Sequence, residues 1–279
     1  MRLTLAQLAA TPDPAVDRAL LAACVREAAA QGADLVVLPE YASGFDPRGP
    51  RADLAEPIDG PYVTALRDLA REHRLAVAAG VTVRDAAPSP AQDGPQDATE
   101  SLVSNAVVVV DAGGEVRADY RKVHLYDAFG AQESRVLRAG DPAAPAPVVD
   151  VAGCRVGILT CYDLRFPESA RRLADAGAEV VVVPAAWAAG PGKAEQWRVL
   201  GRARAVENVL VLAAVGMAGT GVTARSFVAG PDGAVLAELG TAPGLVTVDV
   251  DPAVVAAARE RNPSLAARRY AVVPRPPAE

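Results

Sequence analysis

Short β-branched runs alternating with longer helical patterns predict an α/β layered fold. Hairpin signals interrupt that alternation, so the sheets are expected to be mixed rather than wholly parallel. Three reactive side chains also stand just past the C-terminal ends of strands expected to be buried, where α/β sheets build their sites.

The elements follow in order. "RLTLAQLA" reads as a strand. Thr11 or Asp13 can cap the next helix, with Pro14 in its first turn, and the apolar positions Leu20, Leu21 and Cys24 carry it to a stop at Gly32. "DLVVLPE" reads as a fully buried strand, followed by a helix over 62–73 and the strand "LAVAAGVTV". "NAVVVV" and "EVRADYRKV" form a hairpin across the turn from Asp111 to Gly114. Strand "CRVGILT", a helix over 167–177, strand "EVVVVP", a helix over 193–207 and strand "VLVLAAV" continue the alternation. A hairpin turning at "GPDG", the strand "LVTVDV" and a helix from Pro252 complete it. The stretch "RDAAPSPAQDGPQDATES" has little to bury and is expected to be a solvated loop within one hairpin, not a linker. One domain over 1–279 is therefore expected, with a core to about 262 and an extended tail at "VVPRPPAE".

At 279 residues and 51% hydrophobic, the chain can bury a large core in one domain. A net charge of -6 argues against a surface that tracks phosphates, so no nucleic-acid partner is expected. The opening "MRLTLAQLAATPDPA" lacks a long apolar run, and no window nears the roughly 20 apolar residues of a membrane helix. No membrane partner and a cytoplasmic location are the expectations. Cys24, Cys154 and Cys161 are odd in number and unpaired in spacing, which fits reduced thiols rather than a disulfide frame or zinc site.

Glu40 follows "DLVVLP", Lys122 follows "VRADYR" and Cys161 follows "RVGILT". Each has an ordinary alternative: a loop charge, a solvated edge residue and a small apolar side chain. Together they supply what acyl chemistry needs, a nucleophile, a base and a donor to an oxyanion. Free cysteine has a pKa of about 8.5, so a thiol here needs help, and Glu40 can give it if burial raises its own pKa while Lys122 limits the rise. Of the two histidines, His73 lies near a helix end and is expected to be exposed. His124 is the one route to a Cys-His or Ser-His-Asp hydrolase, and is more simply read as fixing its loop by a hydrogen bond. Gly219, Gly221 and Ala224 match a dinucleotide fingerprint, but they precede a hairpin rather than opening a helix. The basic run "GRARAVEN" is read as a salt-bridged face or dimer contact.

These blocks carry a resemblance. "LVVLPEY", "YRKVHLYD" and "GILTCYDLRFPE" resemble the three catalytic blocks of the nitrilase superfamily, the carbon-nitrogen hydrolases. "SNAVVVVDAGGEV", "FGAQESRVLRAGD" and "QWRVLGRARAVEN" extend it over nearly the whole chain, and "CYDLRFPE" with "QES" is most similar to the branch of ω-amidases and deaminated-glutathione amidases. The resemblance implies an α-β-β-α sandwich that pairs into a four-layer stack, with a homodimer or higher homo-oligomer as partner. It implies Glu40 as general base and acid, Lys122 as electrophilic donor, Cys161 as nucleophile and Glu133 as a second glutamate orienting the lysine or substrate. The Tyr162 N–H would join Lys122 in the oxyanion hole. No cofactor and no metal are implied. The substrate would be a small amide, expected to be a carboxylate-bearing ω-amide, with nitriles, N-carbamoyl amino acids or a non-catalytic small-molecule sensor as alternatives. Tyr41, Arg165 and Trp187 are candidate substrate-binding residues, and Arg165 could instead pair with Glu168 or Asp163. Where relatives often carry His-Ser at the late hairpin, this chain has Arg225 before Ser226, which leaves that edge of the pocket or dimer open.

Overall fold

The computed structural model describes residues 1–85 and 103–275, so most of the expected solvated loop and the last four residues lie outside the described residues. Its strands are β1 (Arg2–Gln7), β2 (Leu35–Val37), β3 (Ala76–Arg84), β4 (Val103–Val110), β5 (Val116–Arg121), β6 (Val148–Val151), β7 (Cys154–Ile158), β8 (Val180–Ala185), β9 (Val211–Gly216), β10 (Phe227–Ala229), β11 (Val235–Glu238) and β12 (Gly244–Asp249). The helices are α1 (Pro14–Ala30), α2 (Pro61–His73), α3 (Pro167–Asp175), α4 (Lys193–Asn208) and α5 (Pro252–Arg261). Asp13, not Thr11, caps α1, its carboxylate accepting from the Ala15 and Val16 N–H groups.

Two six-stranded mixed sheets result, in the orders β12-β1-β2-β3-β4-β5 and β11-β10-β9-β8-β7-β6. The central pairs β1·β2, β2·β3, β7·β8 and β8·β9 are parallel and the outer ones antiparallel. Because alternate side chains of a strand face opposite ways, every central strand feeds two cores. Leu3, Leu5, Leu35 and Val37 meet Val156, Ile158, Val180 and Val182 between the sheets. Val36, Leu38 and Val77 turn outward onto Leu21, Val25 and Leu66 of α1 and α2. Val181, Val183 and Leu212 pack on Leu173 and Trp197 of α3 and α4. The layers are thus α-β-β-α. Among the described residues no helix is long and apolar enough to cross a membrane.

Strand β6 is the one strand not foreseen from sequence. It pairs antiparallel with β7 across a turn in which both Ala152 and Gly153 have positive φ, and Pro145 and Pro147 upstream disguise so short an edge strand as loop. The segment at Gly219, Gly221 and Ala224 runs through left-handed turns into β10 and opens no helix.

Candidate active site

Glu40 and Cys161 each lie three residues beyond a parallel strand, β2 in one sheet and β7 in the other, and Lys122 directly follows β5, which as an edge strand is exposed to half-buried rather than buried as expected. Parallel strands of both sheets end at the same rim, so the three side chains converge. Glu40 can come close because β3 carries Gly80 opposite it: a Cβ there would lie 2.4 Å from the Glu40 Cα and 2.6 Å from the Pro39 carbonyl oxygen. The Cys161 backbone is left-handed, with φ 45°, and opens a short 3-10 turn over Cys161–Arg165. A non-glycine residue in that conformation is held there by its surroundings.

The surroundings are specific. The fully buried Asp163 carboxylate accepts from the Thr160 N–H (3.1 Å), the Tyr120 hydroxyl (2.7 Å) and the His124 N–H (3.1 Å), and bonds His124 Nδ1 at 2.8 Å. Arg204 of α4 donates to the Leu164 carbonyl from below. His124 is therefore a tether, stacked on Phe166, as its simpler reading held. His73, the last residue of α2, is half-buried rather than exposed.

The charged centre is almost fully buried. Lys122 Nζ donates to Glu40 Oε1 at 2.9 Å and to Glu133 Oε2 and Oε1 at 2.8 and 3.1 Å. Glu40 Oε1 also accepts from Asn105 Nδ2 at 2.6 Å, and its Oε2 from the Ala186 N–H at 2.8 Å. Glu133 accepts further from the Tyr41 hydroxyl (2.9 Å) and the Tyr126 N–H (2.8 Å). Burial opposes the lysine's charge, but Glu40 and Glu133 outweigh it and hold its pKa well above the usual value. Burial, then the Glu40 charge, pushes the Cys161 thiol well above its usual range against the pull of Lys122. The resting nucleophile is thus a neutral thiol beside a carboxylate, and its proton has to leave as sulfur attacks. An ammonium has three protons and Lys122 spends all three on carboxylate oxygens, so it can serve an oxyanion only by sharing or releasing one of them, the 3.1 Å bond to Glu133 Oε1 being the longest.

A cavity of about 180 Å³ opens onto this centre, and Glu40, Tyr41, Glu133, Cys161, Tyr162, Arg165 and Trp187 all reach its wall. The Tyr41 hydroxyl on this wall is taken up by Glu133, to which it donates at 2.9 Å. Arg165 pairs with neither Glu168 nor Asp163; it donates to Gln196 Oε1 at 2.7 Å and lies 4.9 Å from the Trp187 ring. Arg225 is exposed and stands away from the cavity, lining a separate groove. In "GRARAVEN", Arg204 is buried and pairs with Glu207 besides holding Leu164, a structural role. Sequence reasoning missed Asn105, Asp163 and the Ala186 N–H. The first had a visible signal, an amide side chain in a strand of valines. Among the described residues no cluster of His, Cys, Asp or Glu could hold a metal ion.

The profile of the carbon-nitrogen hydrolase family matches residues 2–260. A protein of Mycobacterium tuberculosis named only as a hydrolase is 40% identical over 277 residues, covering 94% of this chain and 93% of that one. The deaminated glutathione amidase of Escherichia coli is 36% identical over 256 residues, covering 90% and 91%. Among solved structures, an amidase from Nesterenkonia sp. AN1 superposes with a TM-score of 0.77 at 32% identity, covering 96% of each chain. A variant of it carries the acetamide moiety of fluoroacetamide on its active-site cysteine. The chain belongs to the carbon-nitrogen hydrolase family.

Proposed function

We propose that this carbon-nitrogen hydrolase cleaves the amide bond of a short ω-amide bearing a free carboxylate, such as the monoamide of a four- or five-carbon dicarboxylic acid or its 2-oxo form. Glu40 takes the Cys161 proton as sulfur attacks the amide carbon. The oxyanion forms against Lys122 Nζ and the Tyr162 N–H. Collapse breaks the C–N bond while Glu40 hands its proton to the departing ammonia, leaving a thioester. Water then loses a proton to Glu40, adds to the thioester carbon and releases the acid, and the proton returns to sulfur. A positioned acid/base contributes roughly 10² to 10⁴ in rate and an oxyanion donor roughly 10² to 10³. Glu133 acts by holding the lysine, since both of its oxygens accept from Lys122.

The observation that carries this assignment is the convergence of Cys161, Glu40 and Glu133 on the wall of one cavity, with Lys122 bonded to both carboxylates. The substrate class is supported by the similarity to a deaminated glutathione amidase and by a small cavity with Arg165 on its wall. A 4% aromatic content leaves little for a large aryl-stacking pocket.

Ammonia release from a panel of amides, nitriles and N-carbamoyl amino acids tests the proposal. Carboxylate-bearing amides should show the highest kcat/KM, and Cys161→Ala should abolish turnover without loss of folding. A preference for neutral or aromatic amides would refute the substrate class, and turnover by Cys161→Ala would refute the nucleophile.

A further inference from the structure

We propose that Lys193 is a second specificity-determining cation, which binds the substrate carboxylate together with Arg165. The inference rests on the amidase assignment above and extends it to a residue outside every sequence block singled out for chemistry.

Lys193 opens α4 and is only 8% exposed, yet among the described residues neither it nor Arg165 forms an ion pair with a carboxylate. Aromatic faces surround the two cations instead. Lys193 Nζ lies 3.3 Å from the Phe129 ring centroid and donates to the Tyr126 hydroxyl at 3.3 Å. The Arg165 guanidinium lies 5.6 Å from the same Phe129 ring and 4.9 Å from Trp187, and its Nε is buried without a partner. The other cations near the cavity differ: Lys122, Arg48 and Arg51 each meet a carboxylate.

A cation on an aromatic face gains about 0.5–2 kcal/mol. Taking an ammonium out of water costs several kcal/mol. Two neighbouring cations held by rings and by neutral oxygens, with no carboxylate between them, therefore leave a deficit that an anion would remove. Repulsion acts between them: burial, then the Arg165 charge, lowers the Lys193 pKa from its usual 10.5. Phe129 spans both cations, although it is 72% exposed and sits at a left-handed φ of 55°. It shields the pair from water, which strengthens their hold on an anion.

The charges also fix the substrate's direction. With the thiol neutral, Glu40, Glu133 and Lys122 leave the catalytic end with one net negative charge, while Arg165 and Lys193 give the outer end two positive ones. A molecule with a neutral amide at one end and a carboxylate at the other fits this polarity one way round. Reversed, its carboxylate would face Glu40 and Glu133.

The test compares kcat/KM for glutaric acid monoamide with that for the neutral amide of equal chain length, in wild type, Lys193→Met and Lys193→Arg. The anionic-over-neutral ratio should fall about tenfold or more in Lys193→Met, through KM, and recover in Lys193→Arg. Calorimetric titration of Cys161→Ala with the monoamide gives a second reading, and adding Lys193→Met should weaken binding by a similar factor. If the wild type prefers the anionic amide and Lys193→Met keeps that preference, the Lys193 proposal fails while the amidase assignment stands. A loss seen in kcat alone would likewise overturn it. A wild type without preference would overturn both the carboxylate class and the role of Lys193. Should Lys193→Met fail to fold, Lys193→Gln serves with the same criteria.

Discussion

Glu40→Gln is expected to make the Cys161 thiol more reactive toward a simple alkylating agent while nearly abolishing turnover. In the wild type, burial and then the Glu40 charge hold the thiol protonated, and Lys122 alone pulls the other way. Removing the Glu40 charge leaves Lys122 facing one carboxylate rather than two, so the balance at sulfur moves one unit toward the thiolate. A neighbouring like charge shifts such an equilibrium by an order of magnitude or more, so alkylation by iodoacetamide at neutral pH should accelerate about tenfold or more. Turnover should instead fall by roughly 10² to 10⁴, because no group remains to carry the proton to ammonia. The amide can keep its oxygen toward Asn105 and Lys122 and forfeits the bond from the Ala186 N–H, a loss of about 0.5–1.5 kcal/mol. The experiment pairs the pH dependence of Cys161 alkylation, read by mass spectrometry, with ammonia release. Background is low, since burial raises the Cys24 thiol to about 11 and raises Cys154 as well. If alkylation and turnover fell together, Glu40 would be generating a thiolate in the resting enzyme and the concerted proton transfer would be wrong.

Lys122→Met leaves two buried carboxylates without their shared cation, so it should lose about 3–5 kcal/mol in urea denaturation and at least about 10² in kcat; unchanged stability would deny the buried network. Gly80→Ala drives a Cβ into the Glu40 backbone, and should cost about 1–3 kcal/mol of stability but closer to 10² in kcat; a purely thermal effect would mean that Glu40 tolerates the shift. Burial lifts the Asp17 carboxyl from 3.8 to about 6 despite hydrogen bonds from Thr11, and its Oδ2 has no partner. A raised acid contributes stability that is full below its unfolded value and lost as pH rises through the folded one. Asp17→Asn should therefore be more stable than wild type above about pH 6, by up to about 3 kcal/mol, with the difference closing below about pH 4; thermal melts at both ends decide it, and an equal offset at both would refute it.

The chemistry was legible in the sequence where a reactive side chain ended an apolar run, as Glu40 and Cys161 do; Lys122 follows the polar strand "VRADYR" and stood out only beside the other two. Helices and strands were legible for the same reason, as periodicity reports which face is buried. Strand β6 was not, because four residues between prolines and a turn carry no period. Asp163 reads as an ordinary charge at the start of a helical segment until the structure brings Tyr120 and His124 to it from forty residues away. Arg165 was legible as a cation near the nucleophile, but its aromatic neighbours come from three separate segments, at Phe129, Tyr162 and Trp187. Lys193 meets the ring of Phe129, which comes from a loop sixty-odd residues earlier, and nothing in the spacing of the two residues announces that contact.

Of the missed groups, Asp163 and the Ala186 N–H join the two sheets at the site, and Asn105 ties together the residues of one of them. Glu40 and Lys122 belong to one sheet, and Asn105 cross-ties them, its side chain donating to the carboxylate while its carbonyl accepts the Lys122 N–H at 2.8 Å. Cys161 belongs to the other. The Ala186 N–H, just past β8, reaches across to Glu40, and Tyr120 of β5 reaches back to Asp163 in the nucleophile's own turn. Between the sheets lies mostly aliphatic packing, which is non-directional and resists sliding weakly. A slide of about 1 Å between base and nucleophile can cost about 10² in rate. Charge-assisted bonds that cross from sheet to sheet at the rim supply the direction that the core cannot, so the base and nucleophile stay in register although they belong to different sheets.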